Sequence, residues 1–268
     1  MPELPEIVSR AREMDVELHG KQITAIEVIQ PKSLNMPVQE FQAALTGATL
    51  KGTYARGKWI ITETSQGYLL LNLGMGGEIL LVTRATLPPK RRLVFDFSDQ
   101  TSLAINFWWF GYAHFAAHGE LHQHPMIGKL GLSPLELDSS SLRNLIQGKR
   151  GTIKSFLLDQ SQVAGIGNAY IHDILFLARL HPLRPLNSLK DAEITGLVQA
   201  FRAGLLPSLE KGGAFYEVNL QGQKGGFQVG DILIGYREGQ PCPACGEIII
   251  KIKTGSTSSY ICPACQRL

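Results

Sequence analysis

The sequence predicts an α+β protein: an N-terminal helix on a β-sandwich, then a helical domain, then a C-terminal zinc-ribbon hairpin. Three observations predict it. Short β-rich runs fill the chain to about residue 130, the apolar pattern turns helical from about 134, and all four cysteines lie in the last 27 residues. A chain of 268 residues with 44% apolar content can bury a substantial core. The implied segments are 1–130, 131–240 and 241–268.

The chain begins Met1-Pro2-Glu3-Leu4-Pro5-Glu6-Ile7, and over 5–18 the residues Ile7, Val8, Ala11, Met14 and Leu18 share one helical face before His19-Gly20 stops the helix. Removing the initiator Met would leave Pro2 as a free secondary amine beside two carboxylates. With a pKa of roughly 8, as for α-amino groups in general, part of it is unprotonated near neutrality, and it can form an iminium with a sugar C1′ or an aldehyde. The structural alternative is ordinary helix initiation, where Pro fits the first turn and Glu complements the helix dipole.

Alternating runs at 22–30, 49–64, 67–73, 78–83, 92–97 and 102–109, separated by Gly, Pro or charged turns, give a sandwich or barrel pattern. Alternation places Trp108 and Phe110 on one face, opposite Trp109. From 134 the helical segments are 139–147, 152–158, 168–178 and 191–209. The run Val163-Ala164-Gly165-Ile166-Gly167-Asn168 sets two glycines just before a helix, where backbone N–H groups can approach a phosphate; many helix–helix turns look similar. The glycine-rich stretch within 212–230 reads as a mobile loop.

Cys242-Pro-Ala-Cys245 and Cys262-Pro-Ala-Cys265 are separated by sixteen residues, the spacing of a structural zinc site. Two disulfides in an exported mini-domain are the alternative, disfavoured because the sequence shows no export signal. A segment this short has no core of its own, and zinc binding worth about 10 kcal/mol or more would replace one.

Net charge is only +3 and the sequence pI about 8.6, so a nucleic-acid surface must come from clusters. Candidates are Lys51/Arg56/Lys58, Lys90-Arg91-Arg92 and Lys149-Arg150/Lys154, each also readable as a solvated turn. No leader and no apolar run of about 18 residues is present, which points to a cytoplasmic protein with no membrane contact; it is expected to act alone as a monomer.

Taken in order, the Pro2-to-Glu6 helix start, Arg56-Gly57-Lys58, Leu73-Gly74-Met75, Phe110-Gly111, the Lys154-to-Tyr170 segment and the doubled Cys-Pro-Ala-Cys resemble the formamidopyrimidine-DNA glycosylase and endonuclease VIII family over essentially the whole chain. The resemblance implies a helix-two-turn-helix second domain and a bifunctional base-excision repair enzyme acting on damaged DNA at the nucleoid, with structural Zn2+. It implies that Pro2 attacks C1′ and expels the base, and that β- then δ-elimination cuts the strand. Glu3 would serve as general acid and base, Glu6 would line the lesion pocket or hold the helix start, and Lys58 would grip the adjacent phosphate. Arg56, Lys154 and Asn168 would contact the DNA backbone. Met75 and Phe110 would be wedges in the stack, with core filling as the alternative for Met75.

Three positions depart from the family pattern. Trp108 and Trp109 stand where the family carries two arginines, one of which reads the base opposite the lesion. Asn72 replaces a histidine, and Thr257 falls where the zinc hairpin carries a phosphate-binding arginine. These changes imply weak opposite-base discrimination, and looser duplex binding or a preference for distorted or single-stranded DNA. They also leave open a catalytically weak or inactive damaged-DNA-binding protein on the same scaffold, or a zinc-stabilised interaction module.

Overall fold

The computed structural model describes residues 1–108 and 110–268, so the expectation for Trp109 lies outside the described residues. The chain forms two compact units, Met1–Lys129 with Lys211–Gly226, and Leu130–Glu210 with Phe227–Leu268.

In the first unit α1 (Leu4–Leu18) and α2 (Val38–Leu45) accompany eight strands: β1 (Ile23–Val28), β2 (Leu50–Arg56), β3 (Trp59–Thr64), β4 (Gly67–Asn72), β5 (Glu78–Thr83), β6 (Leu93–Phe97), β7 (Thr101–Asn106) and β8 (Tyr112–Ala116). They make two four-stranded antiparallel sheets, β1-β6-β7-β5 and β2-β3-β4-β8. Inward residues of both sheets, such as Ile60, Leu71, Phe95 and Ile105, join Ile7, Ala11, Met14 and Leu18 of α1 in one buried cluster. The helix face read from apolar spacing is therefore the face that packs on the sandwich, except at Val8, which is half-buried outside that cluster.

Two strand readings change. The run 49–64 is a hairpin, β2–β3, because Gly57 adopts φ +58° and lets the chain reverse with Arg56 paired to Trp59. The run 102–109 ends as a strand at Asn106, and Phe110 has φ +57°, so strand alternation does not set the faces of Trp108 and Phe110. Residues 211–226, expected as a mobile stretch of the helical domain, are anchored in the first unit. Leu220 is buried in its core, its carbonyl accepts from Leu81 N–H (2.8 Å), and its own N–H donates to Glu13 Oε2 (3.0 Å).

The second unit contains α3 (Ser139–Ile146), α4 (Ile153–Leu158), α5 (Ile171–Leu177), α6 (Asp191–Glu210) and the antiparallel hairpin β9 (Ile250–Thr254)–β10 (Thr257–Ile261). Asp138 caps α3 through Ser141 N–H (2.7 Å), and Thr152 caps α4 through Ser155 N–H (3.3 Å). Helix α5 starts at Ile171 rather than at Asn168, which stays in the turn between α4 and α5. Asp173 of α5 accepts the backbone N–H groups of Leu233, Ile234 and Gly235 (2.8–2.9 Å), fixing the approach to the hairpin. Among the described residues no helix is long and apolar enough to cross a membrane.

Candidate active site

Pro2 is buried, and so are the two carboxylates beside it, Glu3 and Glu6. Helix initiation places them. Glu3 is the N-cap of α1, its backbone N–H donates to Glu6 Oε2 (2.9 Å), and its side chain reaches the Glu6 N–H in return, a capping box. Glu6 also accepts Ala214 N–H through Oε1 (3.1 Å), so one side chain joins the helix start to the 211–226 segment. Lys58, in the β2–β3 turn, is buried; burial pulls its pKa down, while the charges of Glu3 and Glu6 pull it back up. The structure thus brings Pro2, Glu3, Glu6 and Lys58 into one unit, with the lysine within the electrostatic reach of both carboxylates.

Sequence reasoning missed two members of this cluster. Arg10, one turn after Glu6, is buried, donates to Glu13 and to the Val218 carbonyl, and has its pKa lowered chiefly by burial. Glu217 extends from the 211–226 segment with Oε1 4.0 Å from the Met1 amine. Burial above all pushes its carboxyl up to about 7; the Met1 amine and Arg10 oppose the rise, and Glu6 and Glu3 add to it. A pocket of about 10 Å³, room for one water, is lined by Pro2, Glu6, Arg10, Leu73 and Glu217 among others. No local motif signals Glu217, because its partners lie some two hundred residues away in sequence.

Asn72 is engaged at both polar ends. Its Nδ2 donates to the Lys58 carbonyl (3.0 Å) and its Oδ1 accepts Gly74 N–H (3.0 Å), which ties the Lys58 turn to the Leu73–Gly77 turn. The tip of that turn carries Met75, 55% exposed; Trp108 is 60% exposed and Phe110 72%. Trp108 N–H donates to the Met75 carbonyl (3.4 Å), so these apolar groups are presented to solvent from joined turns and do not fill the core. Arg56 is half-buried at the end of β2.

In the second unit Lys154 is only 3% exposed and donates to Thr254 Oγ1 (2.9 Å), Thr257 Oγ1 (2.9 Å) and the Ser258 carbonyl (2.7 Å). Burial lowers its pKa to about 8. Asn168 keeps a buried Oδ1 with no hydrogen-bond partner. The four cysteine sulfurs lie within 4.8 Å of one another, with Cys242–Cys265 at 3.9 Å, Cys245–Cys262 at 3.4 Å and Cys245–Cys265 at 3.5 Å. A tetrahedron of thiolates about 2.3 Å from zinc has edges of about 3.8 Å, so this donor set fits Zn2+ and leaves it no open position.

The chain matches the family model described as "Formamidopyrimidine-DNA glycosylase N-terminal domain" over residues 1–106, "Formamidopyrimidine-DNA glycosylase H2TH domain" over 130–219 and "Zinc finger found in FPG and IleRS" over 239–268. It belongs to the formamidopyrimidine-DNA glycosylase family. This family member is 33% identical to the formamidopyrimidine-DNA glycosylase of Methylococcus capsulatus and 34% identical to that of Pelotomaculum thermopropionicum, with both chains covered completely in each case. Its structure resembles Lactococcus lactis Fpg in complex with abasic-site DNA at TM-score 0.91 and 28% identity, covering 99% of this chain and 100% of that one. The same enzyme with Fapy-dG DNA gives TM-score 0.90 at 28% identity, with the same coverage. The zinc finger match agrees with the four-sulfur geometry: the site is structural zinc.

Proposed function

We propose that this chain is a DNA glycosylase with AP lyase activity, acting in base excision repair through the Pro2 nitrogen after Met1 is removed. The observation that carries the reading is the convergence of Pro2, Glu3, Glu6 and Lys58 at the start of α1 within one folded unit. The solved relatives, Fpg of Lactococcus lactis with abasic-site and Fapy-dG DNA, make damaged DNA the substrate class.

The Pro2 nitrogen attacks C1′ and gives up its N–H proton, and the glycosidic bond breaks with its electron pair leaving on the base, which takes up a proton. Opening of the sugar ring gives an iminium between Pro2 and C1′, with Glu3 supplying the proton to the ring oxygen. The iminium acidifies C2′–H. Its loss expels the 3′ phosphate by β-elimination, and loss of the C4′ proton expels the 5′ phosphate by δ-elimination. Lys58 holds the phosphate beside the lesion, and Glu6 fixes the helix start and the 211–226 segment around the pocket. Met75 and Phe110 enter the gap left by the everted nucleotide, offsetting part of an unstacking cost of a few kcal/mol. Arg56, Asn168 and Lys154 serve the DNA backbone, the last through the hairpin it holds. Zinc, when bound, supplies folding free energy to the hairpin. The protein acts as a monomer on nucleoid DNA in the cytoplasm, an assignment that suits its bacterial relatives.

Borohydride reduction in the presence of abasic-site DNA tests this. Chain confirmed by intact mass to begin at Pro2 should become covalently joined to the DNA, whereas chain retaining Met1 should not. Failure of the Pro2-initiated chain to be captured would overturn the reading.

A further inference from the structure

Outside the Pro2 pocket, the first unit carries an open groove of about 430 Å³ lined by Ile29, Lys90, Arg91, Arg92, Asn106 and Trp108 among others. Sheet register builds it. Val28 pairs with Leu93 and Leu93 with Ile105, so the end of β1, the start of β6 and the end of β7 lie side by side. The Arg92 backbone is locked there, its N–H on the Ile105 carbonyl (2.7 Å) and its carbonyl accepting Ile29 N–H (2.9 Å). Arg91 is paired with Glu27 (3.3 Å) and donates to the Pro88 carbonyl (3.3 Å), but Lys90 and Arg92 form no ion pair among the described residues. The Nε atoms of Arg91 and Arg92 are buried without a hydrogen-bond partner. The other walls are a buried amide, Asn106, and the exposed indole of Trp108.

Two uncompensated cations, an amide and an exposed aromatic plane suit a ligand that is at once anionic, planar and edged with hydrogen-bonding groups. The groove volume lies in the range that holds a compact polar ligand. It shares no lining residue with the Pro2 pocket, yet the two are one strand pair apart: Glu78 lines the pocket and its cross-strand partner Asn106 lines the groove. A DNA strand engaged at one is within reach of the other.

We propose that this groove is a second nucleotide subsite, taking an unpaired deoxynucleotide whose base stacks on Trp108 and whose phosphate lies on Lys90 and Arg92. The proposal rests on the DNA-repair reading above. The nucleotide has two sources, the undamaged strand left without its partner or the damaged strand next to the lesion. Stacking on an indole is indifferent to base identity, and phosphate contacts carry no sequence information, so the subsite would grip without reading.

Full-length, zinc-loaded protein carrying Lys90→Ala with Arg92→Ala, or Trp108→Leu, would be titrated with abasic-site DNA as a duplex and as the damaged strand alone, at several salt concentrations. Lys90→Glu, at an exposed position, guards against a folding defect in the double variant. The double variant should weaken duplex binding at least tenfold and reduce the salt slope by about two. Trp108→Leu should weaken it about tenfold and abolish the quenching of indole fluorescence by oligo-dT. Loss on the duplex alone assigns the undamaged strand; equal loss on the single strand assigns the damaged one. Wild-type affinity and salt slope in all three variants would overturn the subsite. Borohydride capture by the wild-type chain reports separately on the Pro2 chemistry, so its failure alongside altered salt slopes would remove the repair reading and leave the groove standing.

Discussion

Lys154 Nζ lies 2.9 Å from Thr257 Oγ1, joining the lysine that the family resemblance assigned to the DNA backbone to the residue standing where the family carries a phosphate-binding arginine. With Thr254 Oγ1 and the Ser258 carbonyl as its other acceptors, all three N–H bonds of the ammonium are engaged within the β9–β10 hairpin. Lys154 is therefore first a clamp between α4 and the zinc hairpin. Its charge reaches a phosphate only in addition to that, or by exchanging one of these bonds.

Removing the clamp should loosen the hairpin. Lys154→Met is expected to destabilise the second unit by about 2–4 kcal/mol, since hydrogen bonds to a charged group are individually worth about 1.5–3. Zinc should pass to a chelator faster than from wild type, read by a colorimetric zinc indicator. A variant that loses DNA affinity while releasing zinc at the wild-type rate would make Lys154 a phosphate ligand alone.

Glu217 supplies a pH dependence whose sign follows from burial. In the chain that retains Met1, its folded pKa of about 7 lies above the ordinary carboxylate value of 4.5. Between those values the native state keeps a proton that the unfolded chain has released, so stability falls as pH rises from about 4.5 to 7 and levels off above. The full effect is no more than about 3 kcal/mol. Glu217→Gln should remove it: the gain in melting temperature over wild type should grow between pH 5 and pH 7.5. A gain independent of pH would show that the carboxyl is not titrating there.

The Leu73–Gly77 turn presents Met75, and it closes only without a side chain at its last position. A Cβ on Gly77 would stand 2.1 Å from the Leu73 carbonyl oxygen, a backbone atom that cannot give way locally. Gly77→Ala should cost about 1–3 kcal/mol and displace Met75. Fluorescence of 2-aminopurine beside an abasic site should report reduced unstacking on binding. Wild-type fluorescence would indicate that Met75 is not the wedge.

Trp108 and Trp109 in place of paired arginines should leave the base opposite the lesion poorly read. An indole offers stacking where a guanidinium offers bidentate donors to a base edge. One lesion placed opposite each of the four bases should be cleaved with preferences below about a hundredfold. A larger preference would require a reader elsewhere.

What was legible in the sequence was what is encoded locally. The apolar face of α1 and most strands followed from periodicity, and the zinc ligands followed from spacing, because each Cys-Pro-Ala-Cys is one turn. The run 49–64 concealed a hairpin because a two-residue turn at Gly57-Lys58 leaves alternation nearly unbroken. Helix α2 and strand β8 escaped notice, being eight and five residues long. Contacts across sequence were invisible. Pro2, Glu3, Glu6 and Lys58 came from motif resemblance, whereas Glu217 is held at the site by contacts some two hundred positions apart in sequence: Ala214 N–H on Glu6, the Val218 carbonyl on Arg10 and Leu220 N–H on Glu13.

Zinc removal should divide the molecule according to where its cores lie. The hairpin's buried cluster contains Phe176, Ile234 and Ile249 together with Cys242 and Cys262, too few apolar groups to persist without metal worth about 10 kcal/mol or more. The sandwich has its own larger core, to which no cysteine contributes. Chelation should therefore unfold the hairpin, break the three bonds of Lys154, and abolish duplex binding, while the far-ultraviolet β signal and thermal transition of the first unit remain. Cys262→Ser should be more damaging than Cys245→Ser, since Cys262 is fully buried and Cys245 exposed, and a hydroxyl is a poor substitute for a buried thiolate. A single transition that moves as a whole on chelation would show instead that the two units fold as one.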